Sequence, residues 1–365
     1  MAVSRVYSAV GAGRARGRSG GTSAVMSFLR AGAGAYAATA TRSGRKNHEP
    51  VASVIPLELI VRSTRIEADG VLSIDLGARN GRDLPSWFPG AHIDLIMPSG
   101  TIRQYSLCGP ASDRTFYRIA VRRLDHGSGG SIEAHTLRTG SLVSVQGPRN
   151  AFPFVHFRNA LPGAPRVVFI AAGIGITALL PMIESAVNAG ADWHLTYIGR
   201  GRTAMAFLDR LAAFDPGGHR VRIHTGPRQS PARILEQVRA QSSVYFCGPA
   251  ELLSAVRPLL DMDPTVGLHY ERFGPPPVIG GTPFSVRLAN GDVIEVDAAS
   301  STLDAVREAR PDAPYSCRQG FCGTCRVRVL DGDVERRGRS RFLDEQDTML
   351  ICVDRARGTE VTLDL

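Results

Sequence analysis

The chain has 365 residues, of which 43% are hydrophobic and 21% are charged, and its net charge is +9. This balance is typical of a folded globular protein and excludes a largely disordered or fibrous chain. At roughly 100–200 residues per domain, the length predicts two or three domains.

The positive charge is concentrated at the start of the chain. Residues 1–48 contain eight of the 43 basic residues and none of the 34 acidic ones, so the remaining body is nearly neutral. A basic face for nucleic acid is therefore not expected. Residues 1–50 are predicted to form a disordered basic tail that catalysis does not need, with a later start at Met26 or an organelle transit peptide as alternatives.

No apolar run reaches the ~20 residues that a membrane helix requires. The longest run, Val167–Leu180, has about 14 residues and contains Gly173 and Gly175. It is better explained as a buried strand that leads into a glycine turn. The sequence thus predicts a monomeric cytoplasmic protein without a membrane span.

Apolar and polar residues alternate in the segments that follow the tail. In residues 71–76, the leucines and the isoleucine face one way while Ser73 and Asp75 face the other, which is the periodicity of a strand. Similar segments occur at 92–97, 117–122 and 142–145. Because glycine and proline turns separate them, residues 54–158 are predicted to form an antiparallel β-barrel.

The pattern changes at Val167–Ala172, a continuous apolar run of the kind expected for a strand buried on both faces of a parallel sheet. Strand-like segments then alternate with helical ones. The later strands are predicted at 195–198, 221–224 and 244–247, and the later helices at 204–211, 233–241 and 251–260. This alternation predicts a doubly wound α/β domain at residues 160–274.

Residues 275–283 are rich in proline and glycine and are predicted to be a linker. The third predicted domain, 284–365, begins with two strand-like segments around Asn290-Gly291, the strongest short signal for a β-hairpin. Farther on, Ser301 is followed three residues later by Asp304, which predicts the start of a helix.

Six cysteines are present, and three of them fall within nine residues. Cys317, Cys322 and Cys325 are spaced C-x4-C-x2-C, and Cys352 follows 27 positions after the third. This is the spacing of plant-type ferredoxins, whose four thiolates hold a [2Fe–2S] cluster. A structural zinc site is the alternative, but it usually pairs two short cysteine knuckles, whereas the second half here has one cysteine.

The other two cysteines lie far from that cluster. Cys108 is interpreted as a small buried hydrophobic residue. Cys247 ends a predicted strand, just before Gly248 and Pro249. Because open α/β sheets bind ligands at the carboxyl ends of their strands, Cys247 either faces a ligand or belongs to the core.

Gly173 and Gly175 join the first buried strand of the α/β domain to a helix. Glycines at this position allow a pyrophosphate to approach the positive end of the helix. The third glycine of the dinucleotide-binding fingerprint is missing, so a purely structural turn remains an alternative.

A second candidate binding site lies in the predicted barrel. In Arg103-Gln104-Tyr105-Ser106, the arginine can pair with a phosphate, the tyrosine can lie against a planar ring system and the serine can hydrogen-bond its edge. Residues 127–131 supply backbone N–H groups and hydroxyls that could hold the same phosphate. Ordinary strand residues and a surface turn are the alternatives.

The order of these motifs resembles the phthalate dioxygenase reductase family, which includes vanillate demethylase reductases. The resemblance covers residues 55–365. The matching stretches are Trp87–His92, Arg103–Cys108, Ala120–Arg122, Gly129–Ser131, Pro148–Pro153, Gly173–Thr177, Cys247–Pro249, Glu271, Phe273 and the four clustered cysteines. Departures from the family pattern are Ser128, where an arginine is frequent, and Ala172 and Ala178, which replace a glycine and a proline.

The resemblance implies an antiparallel β-barrel flavin domain, an α/β doubly wound nicotinamide-binding domain and an α+β ferredoxin domain of the β-grasp type. It implies that FMN is held by Arg103, Gln104, Tyr105, Ser106, Ala120, Val121, Arg122, Ser128, Gly129, Gly130, Ser131, Thr177 and Phe273. It assigns the nicotinamide to Gly173, Gly175, Cys247, Gly248 and Pro249, and the [2Fe–2S] cluster to Cys317, Cys322, Cys325 and Cys352.

Nicotinamides give electrons in pairs as hydride and an iron–sulfur cluster accepts one, so a flavin is the physical adaptor between them. The resemblance implies that the chain is an NADH-dependent reductase that supplies a terminal oxygenase, either a Rieske-type enzyme or a thiolate-haem monooxygenase. No catalytic nucleophile is expected, because the protein supplies alignment and electrostatics. A redox-sensing protein and a stand-alone flavin reductase are the alternatives.

Overall fold

The computed structural model describes residues 56–125, 129–154, 166–226, 229–274, 278–315, 318–320, 323–337 and 347–365. All of them belong to one unit, Val54–Leu365. The predicted tail lies outside these residues, as do Ser128, Cys317 and Cys322. Within the described ranges, no helix combines the length and apolar character needed to cross a membrane.

Six antiparallel strands form the first sheet, in the order β4-β3-β6-β1-β2-β5. They are β1 (Leu57–Ala68), β2 (Val71–Ala78), β3 (Ala91–Ile96), β4 (Ile102–Ser106), β5 (Tyr117–Arg122) and β6 (Leu142–Asn150), and the short helix α1 is Gly130–Ala134. The edge strands β4 and β5 contact each other, so the sheet curls into a barrel.

Burial in β2 follows the predicted alternation from Ile74 to Leu76 but not before it, where Ser73 is buried and Leu72 is half-buried. Ile74 and Leu76 of β2 are fully buried. Asp75, between them, accepts hydrogen bonds of 2.7 and 2.8 Å from the guanidinium of Arg118 on the neighbouring strand β5. The apolar face packs inward because burial removes it from water, while the polar face forms cross-strand pairs.

The second sheet is entirely parallel, in the order β11-β10-β7-β8-β9. Its strands are β7 (Val167–Ala172), β8 (Trp193–Ile198), β9 (Val221–His224), β10 (Ser243–Cys247) and β11 (Gly267–Glu271), and its helices are α2 (Ile176–Asn188), α3 (Leu208–Phe214), α4 (Pro231–Ile234) and α5 (Ala250–Leu260). Val168, Phe169 and Ile170 of the central strand β7 are fully buried, as expected where helices cover both faces.

Two predicted helices of this domain differ from the structure. In place of a helix at 204–211, a 3₁₀ turn at Arg202–Ala204 precedes α3, which begins at Leu208. Phe207, between the turn and α3, is buried and has a left-handed φ of 62°. Packing of that ring into the core has overridden helical spacing. The predicted helix at 233–241 is limited to α4, because the buried Gln237 side chain hydrogen-bonds Thr196 and His194 from a turn.

The third sheet is mixed, in the order β13-β12-β18-β14-β16, and a two-stranded sheet pairs β15 with β17. The strands are β12 (Phe284–Leu288), β13 (Val293–Val296), β14 (Arg326–Asp331), β15 (Val334–Glu335), β16 (Thr348–Leu350), β17 (Arg355–Ala356) and β18 (Glu360–Leu363), and the helix is α6 (Thr302–Ala309).

Local signals in the third domain are confirmed. Strands β12 and β13 form the hairpin predicted at Asn290-Gly291, and Gly291 has the positive φ of 93° that its turn requires. The Ser301 hydroxyl caps α6 by accepting a hydrogen bond from the Asp304 N–H at 3.1 Å. The exact domain boundaries stay predictions, since residues 155–165 and 275–277 lie outside the described ranges.

Candidate functional site

A cavity of about 300 Å³ lies where β4 and β5 of the barrel meet the turn that follows β7. Its wall contains every residue predicted for FMN except Ser128, which is outside the described residues. The predicted residues in the wall are Arg103, Gln104, Tyr105, Ser106, Ala120, Val121, Arg122, Gly129, Gly130, Ser131, Thr177 and Phe273. The fold therefore brings together five separate parts of the chain that the family resemblance assigns to one ligand.

Arg103 is positioned by a close approach to the glycine pair. A Cβ on Gly130 would lie 2.7 Å from the Arg103 Nε, so a larger residue there would push the guanidinium out of its present position. Gly129 has a φ of 80°, in the left-handed region that favours glycine. The Arg103 side chain also donates to the Ile102 carbonyl at 2.7 Å. The glycine pair thus leaves space for the Arg103 guanidinium in the cavity wall.

Tyr105 and Ser106 supply neutral groups to the same wall. Burial raises the pKa of Tyr105 to about 12, so its phenol is protonated at neutral pH. The Ser106 hydroxyl donates to Glu271 Oε2 at 3.3 Å, and both residues are buried. This side of the cavity can hydrogen-bond a polar ring edge while presenting an aromatic surface.

A second cavity, of about 740 Å³, lies at the carboxyl edge of the parallel sheet. Gly173, Gly175, Gly248 and Pro249, all predicted to bind the nicotinamide cofactor, line it. A Cβ on Gly175 would lie 2.2 Å from the Cys247 carbonyl oxygen, so this glycine is required by a close backbone approach. Its φ of −57° would suit any residue.

The position of Cys247 differs from the assignment of this residue to the nicotinamide. Its side chain is fully buried in the core and lies in the wall of neither cavity. Burial, and secondarily the nearby Glu271 carboxylate, raise the pKa of the thiol well above its ordinary value, so it stays neutral. The strand end places the Cys247 backbone against Gly175 and turns the thiol inward. Cys247 is thus a core residue, as is Cys108.

The two cavities share a wall formed by Arg122, Leu124, Ile174, Arg272 and Phe273. Phe273 is 51% exposed. Burial, and secondarily Arg200 in the wall of the larger cavity, lower the pKa of the Arg122 guanidinium. Among the described residues, the buried Arg272 Nε has no hydrogen-bond partner. Several cations thus face one cavity, which fits an anionic dinucleotide.

The third domain places two predicted cluster ligands together. Cys325 precedes β14 and Cys352 follows β16, and these strands are paired. The Ile351 N–H donates to the Cys325 carbonyl at 3.3 Å. Both cysteines are buried, with 2% and 3% of their surface exposed. Two cysteines on paired strands that share one apolar core fit half of a four-cysteine site. Cys317 and Cys322 lie outside the described residues.

Comparison with known proteins agrees with this geometry. Residues 288–357 match the family described as 2Fe-2S iron-sulfur cluster binding domain. Phthalate dioxygenase reductase of Burkholderia cepacia is 33% identical over 321 residues, which cover 85% of this chain and 97% of that protein. The chain belongs to the phthalate dioxygenase reductase family.

Solved structures support the same assignment. Phthalate dioxygenase reductase, described as modular for electron transfer from pyridine nucleotides to [2Fe–2S], matches with a TM-score of 0.64 and 32% identity over 85% of this chain and 98% of that one. An intact type IV self-sufficient cytochrome P450 monooxygenase matches with a TM-score of 0.66 and 36% identity, over 89% of this chain and 44% of that one. The predicted three-part fold is confirmed.

Membership of the phthalate dioxygenase reductase family makes the chain an oxidoreductase that carries electrons from a nicotinamide through a flavin and a [2Fe–2S] cluster. The flavin exchanges electrons in pairs with the nicotinamide and singly with the cluster. The cavity residues bind and orient these groups; no residue of the wall is needed as a nucleophile.

Five wall residues of the smaller cavity were not predicted as site residues: His92, Leu124, Ile174, Glu271 and Arg272. His92 and Glu271 lay within stretches that resemble the phthalate dioxygenase reductase family. Glu271 and Arg272 could also have been found from their position at the carboxyl end of the last parallel strand, where such sheets bind ligands. Ile174 likewise lies within the matching stretch Gly173–Thr177, whereas Leu124 carries no sequence signal of its own.

Proposed function

We propose that this chain is the NADH-dependent, FMN-containing reductase component of an oxygenase system. The observation that carries the proposal is the wall shared by the two cavities. A nicotinamide in the larger cavity and a flavin in the smaller one would meet beside Ile174 and Phe273, which is the contact that hydride transfer requires.

The residues of the smaller cavity suit a flavin that ends in a phosphate. Arg103 offers a guanidinium that can bind phosphate through two N–H groups. Gly129 and Gly130 have no side chains, so their backbone leaves space beside Arg103 for the phosphate. Tyr105 and Ser106 then face the ring system, and Phe273 covers it from the side of the nicotinamide.

The proposed acceptor is a separate terminal oxygenase. The relative from Ectopseudomonas oleovorans is phenoxybenzoate dioxygenase subunit beta, 36% identical over 331 residues, which cover 86% of this chain and 99% of that protein. In the self-sufficient cytochrome P450 monooxygenase, the matching region is less than half of one longer chain. Both a dioxygenase partner and a haem monooxygenase partner are therefore compatible with a reductase of this type.

The first prediction is that the chain binds one FMN. Arg103 lies in the wall of the smaller cavity beside the glycine pair Gly129-Gly130, and we expect this end of the cavity to hold the terminal phosphate of FMN. Mass spectrometry of the flavin released from purified protein measures this directly. Recovery of stoichiometric FAD would contradict the assignment.

The second prediction is a higher kcat/KM for NADH than for NADPH. Arg122 and Arg200 both line the larger cavity, and we expect them to pair with the pyrophosphate, which NADH and NADPH share. Arg202 lines a different surface cavity, with Arg65 and Arg118. We therefore expect neither arginine to bind a 2′-phosphate.

Arg200→Ala should therefore lower kcat/KM for NADH and for NADPH to a similar degree, by about tenfold, because one charge-assisted contact with the nucleotide is lost. Steady-state kinetics with both nucleotides tests this. A wild-type preference for NADPH that Arg200→Ala abolishes would show that Arg200 binds the 2′-phosphate instead.

A further inference from the structure

The Gln319 side chain of the ferredoxin domain contacts Arg272, which lines both cavities. The Gln319 carboxamide pairs with the backbone of Arg272: its Oε1 accepts from the Arg272 N–H at 3.2 Å, and its Nε2 donates to the Arg272 carbonyl at 2.6 Å. Only asparagine and glutamine can offer a donor and an acceptor together in this way. Gln319 thus acts like an added residue of a β-ladder.

Arg272 is a natural anchor for such a contact. It follows β11, which is the edge strand of the parallel sheet, so its backbone groups are not used by a further strand. Arg272 and the next residue, Phe273, both lie in the wall shared by the two cavities. A group fixed to the Arg272 backbone is therefore fixed relative to the flavin cavity.

The other end of the contact lies in the cluster-binding segment. Gln319 stands in sequence between Cys317 and Cys322, two of the predicted ligands. Its neighbour Arg318 has a left-handed φ of 53° and an ion pair with Asp304 of α6. A non-glycine residue holds that conformation only where its surroundings stabilise it. The segment is thus attached to its own domain by Arg318 and to the flavin cavity by Gln319.

We propose that Gln319 is a positioning residue for electron transfer, holding the ferredoxin domain against the flavin cavity through its two hydrogen bonds to Arg272. The proposal rests on the proposed function, because it requires electrons to pass from the flavin to the cluster. The rate of electron tunnelling falls steeply with distance, so even partial release of this contact slows the transfer.

Gln319→Met tests the proposal, because methionine has nearly the same length and shape but cannot replace either hydrogen bond. The first readout is hydrogen–deuterium exchange at the Arg272 N–H, which should be about tenfold faster once two hydrogen bonds are lost. The second is anaerobic stopped-flow absorbance after mixing with NADH: cluster reduction slows, while flavin reduction and the visible spectrum of the oxidised cluster stay unchanged.

Two further variants make the test specific. Gln319→Glu keeps the acceptor for the Arg272 N–H and loses the donor to its carbonyl, so its exchange rate falls between those of wild type and Gln319→Met. Arg287→Met is the control, since it removes a surface ion pair with Glu360 elsewhere in the same domain, and it changes neither readout.

Three results would overturn the proposal: unchanged exchange at Arg272, faster exchange with an unchanged rate of cluster reduction, or loss of the cluster spectrum, which would make Gln319 a residue for cluster retention. Failure of the proposed function looks different, because wild-type flavin would then not be reduced by NADH. The exchange measurement needs no electron transfer and remains valid in that case.

Discussion

Gly175→Ala is expected to raise the KM for NADH at least about tenfold while FMN stays bound. The new Cβ would lie 2.2 Å from the Cys247 carbonyl oxygen and 2.6 Å from its carbon, both backbone atoms that cannot rotate away. Overpacking of this kind costs roughly 1–3 kcal/mol. The turn must therefore move away from the end of β10, and that movement distorts the wall that Gly173, Gly175 and Gly248 form around the larger cavity.

The measurements are NADH steady-state kinetics, flavin content and the thermal midpoint, which should fall by a few degrees. Gly267→Ala is the matched control. Gly267 begins β11 of the same sheet, at the end away from the cavity, and a Cβ there would meet only the His269 ring at an ordinary 3.7 Å. Equal effects of the two variants would show that Gly175 matters for general stability rather than for the nicotinamide cavity.

Sequence periodicity predicted the strands that carry the site because burial dictates their composition. Val167–Ala172 is apolar throughout since helices cover both faces of β7, and that requirement is visible without a structure. The Asn290-Gly291 hairpin was equally accessible, because its turn needs residues that tolerate positive φ. Such signals are local, so one segment contains all of the information.

The helices at 204–211 and 233–241 could not be predicted correctly for the opposite reason. Phe207 adopts its left-handed conformation because the ring is buried by residues distant in sequence. Gln237 is buried with Thr196, 41 positions away. Tertiary packing overrides helical propensity, which is a weak preference of less than about 1 kcal/mol per residue.

The candidate site shows the same division. Arg103–Ser106 and Gly129–Ser131 are contiguous and carry recognisable chemistry, so their shared cavity could be anticipated. The contact between Gln319 and Arg272 joins residues 47 positions apart, and nothing in either local sequence indicates the other. The inward orientation of the Cys247 thiol likewise depended on the core around it.

Removing Cys325 should separate the two halves of the electron path. Cys325→Ala eliminates a thiolate that the C-x4-C-x2-C spacing assigns to the cluster, and four thiolates are needed. The flavin and nicotinamide cavities are built from the first and second sheets, whose cores do not include Cys325. We therefore expect the variant to keep FMN and to lose the visible absorbance of the cluster.

Cys108→Ala provides the matched control, since it also removes a fully buried thiol but from a core outside the ferredoxin domain. Cys108→Ala should keep the cluster, and with NADH it should still reduce both a hydride-accepting dye and cytochrome c. If Cys108→Ala and Cys325→Ala lost the cluster to the same extent, the loss would reflect general destabilisation by a missing buried thiol.

Electrons are proposed to leave the flavin through the cluster, and the decisive measurement is the rate at which Cys325→Ala reduces cytochrome c with NADH. A hydride-accepting dye, measured in parallel, reports the first step alone and should be reduced at nearly the wild-type rate. We expect cytochrome c reduction to fall to background while dye reduction persists. Cytochrome c reduction at the wild-type rate would mean that electrons leave directly from the flavin, in contradiction to the proposed path.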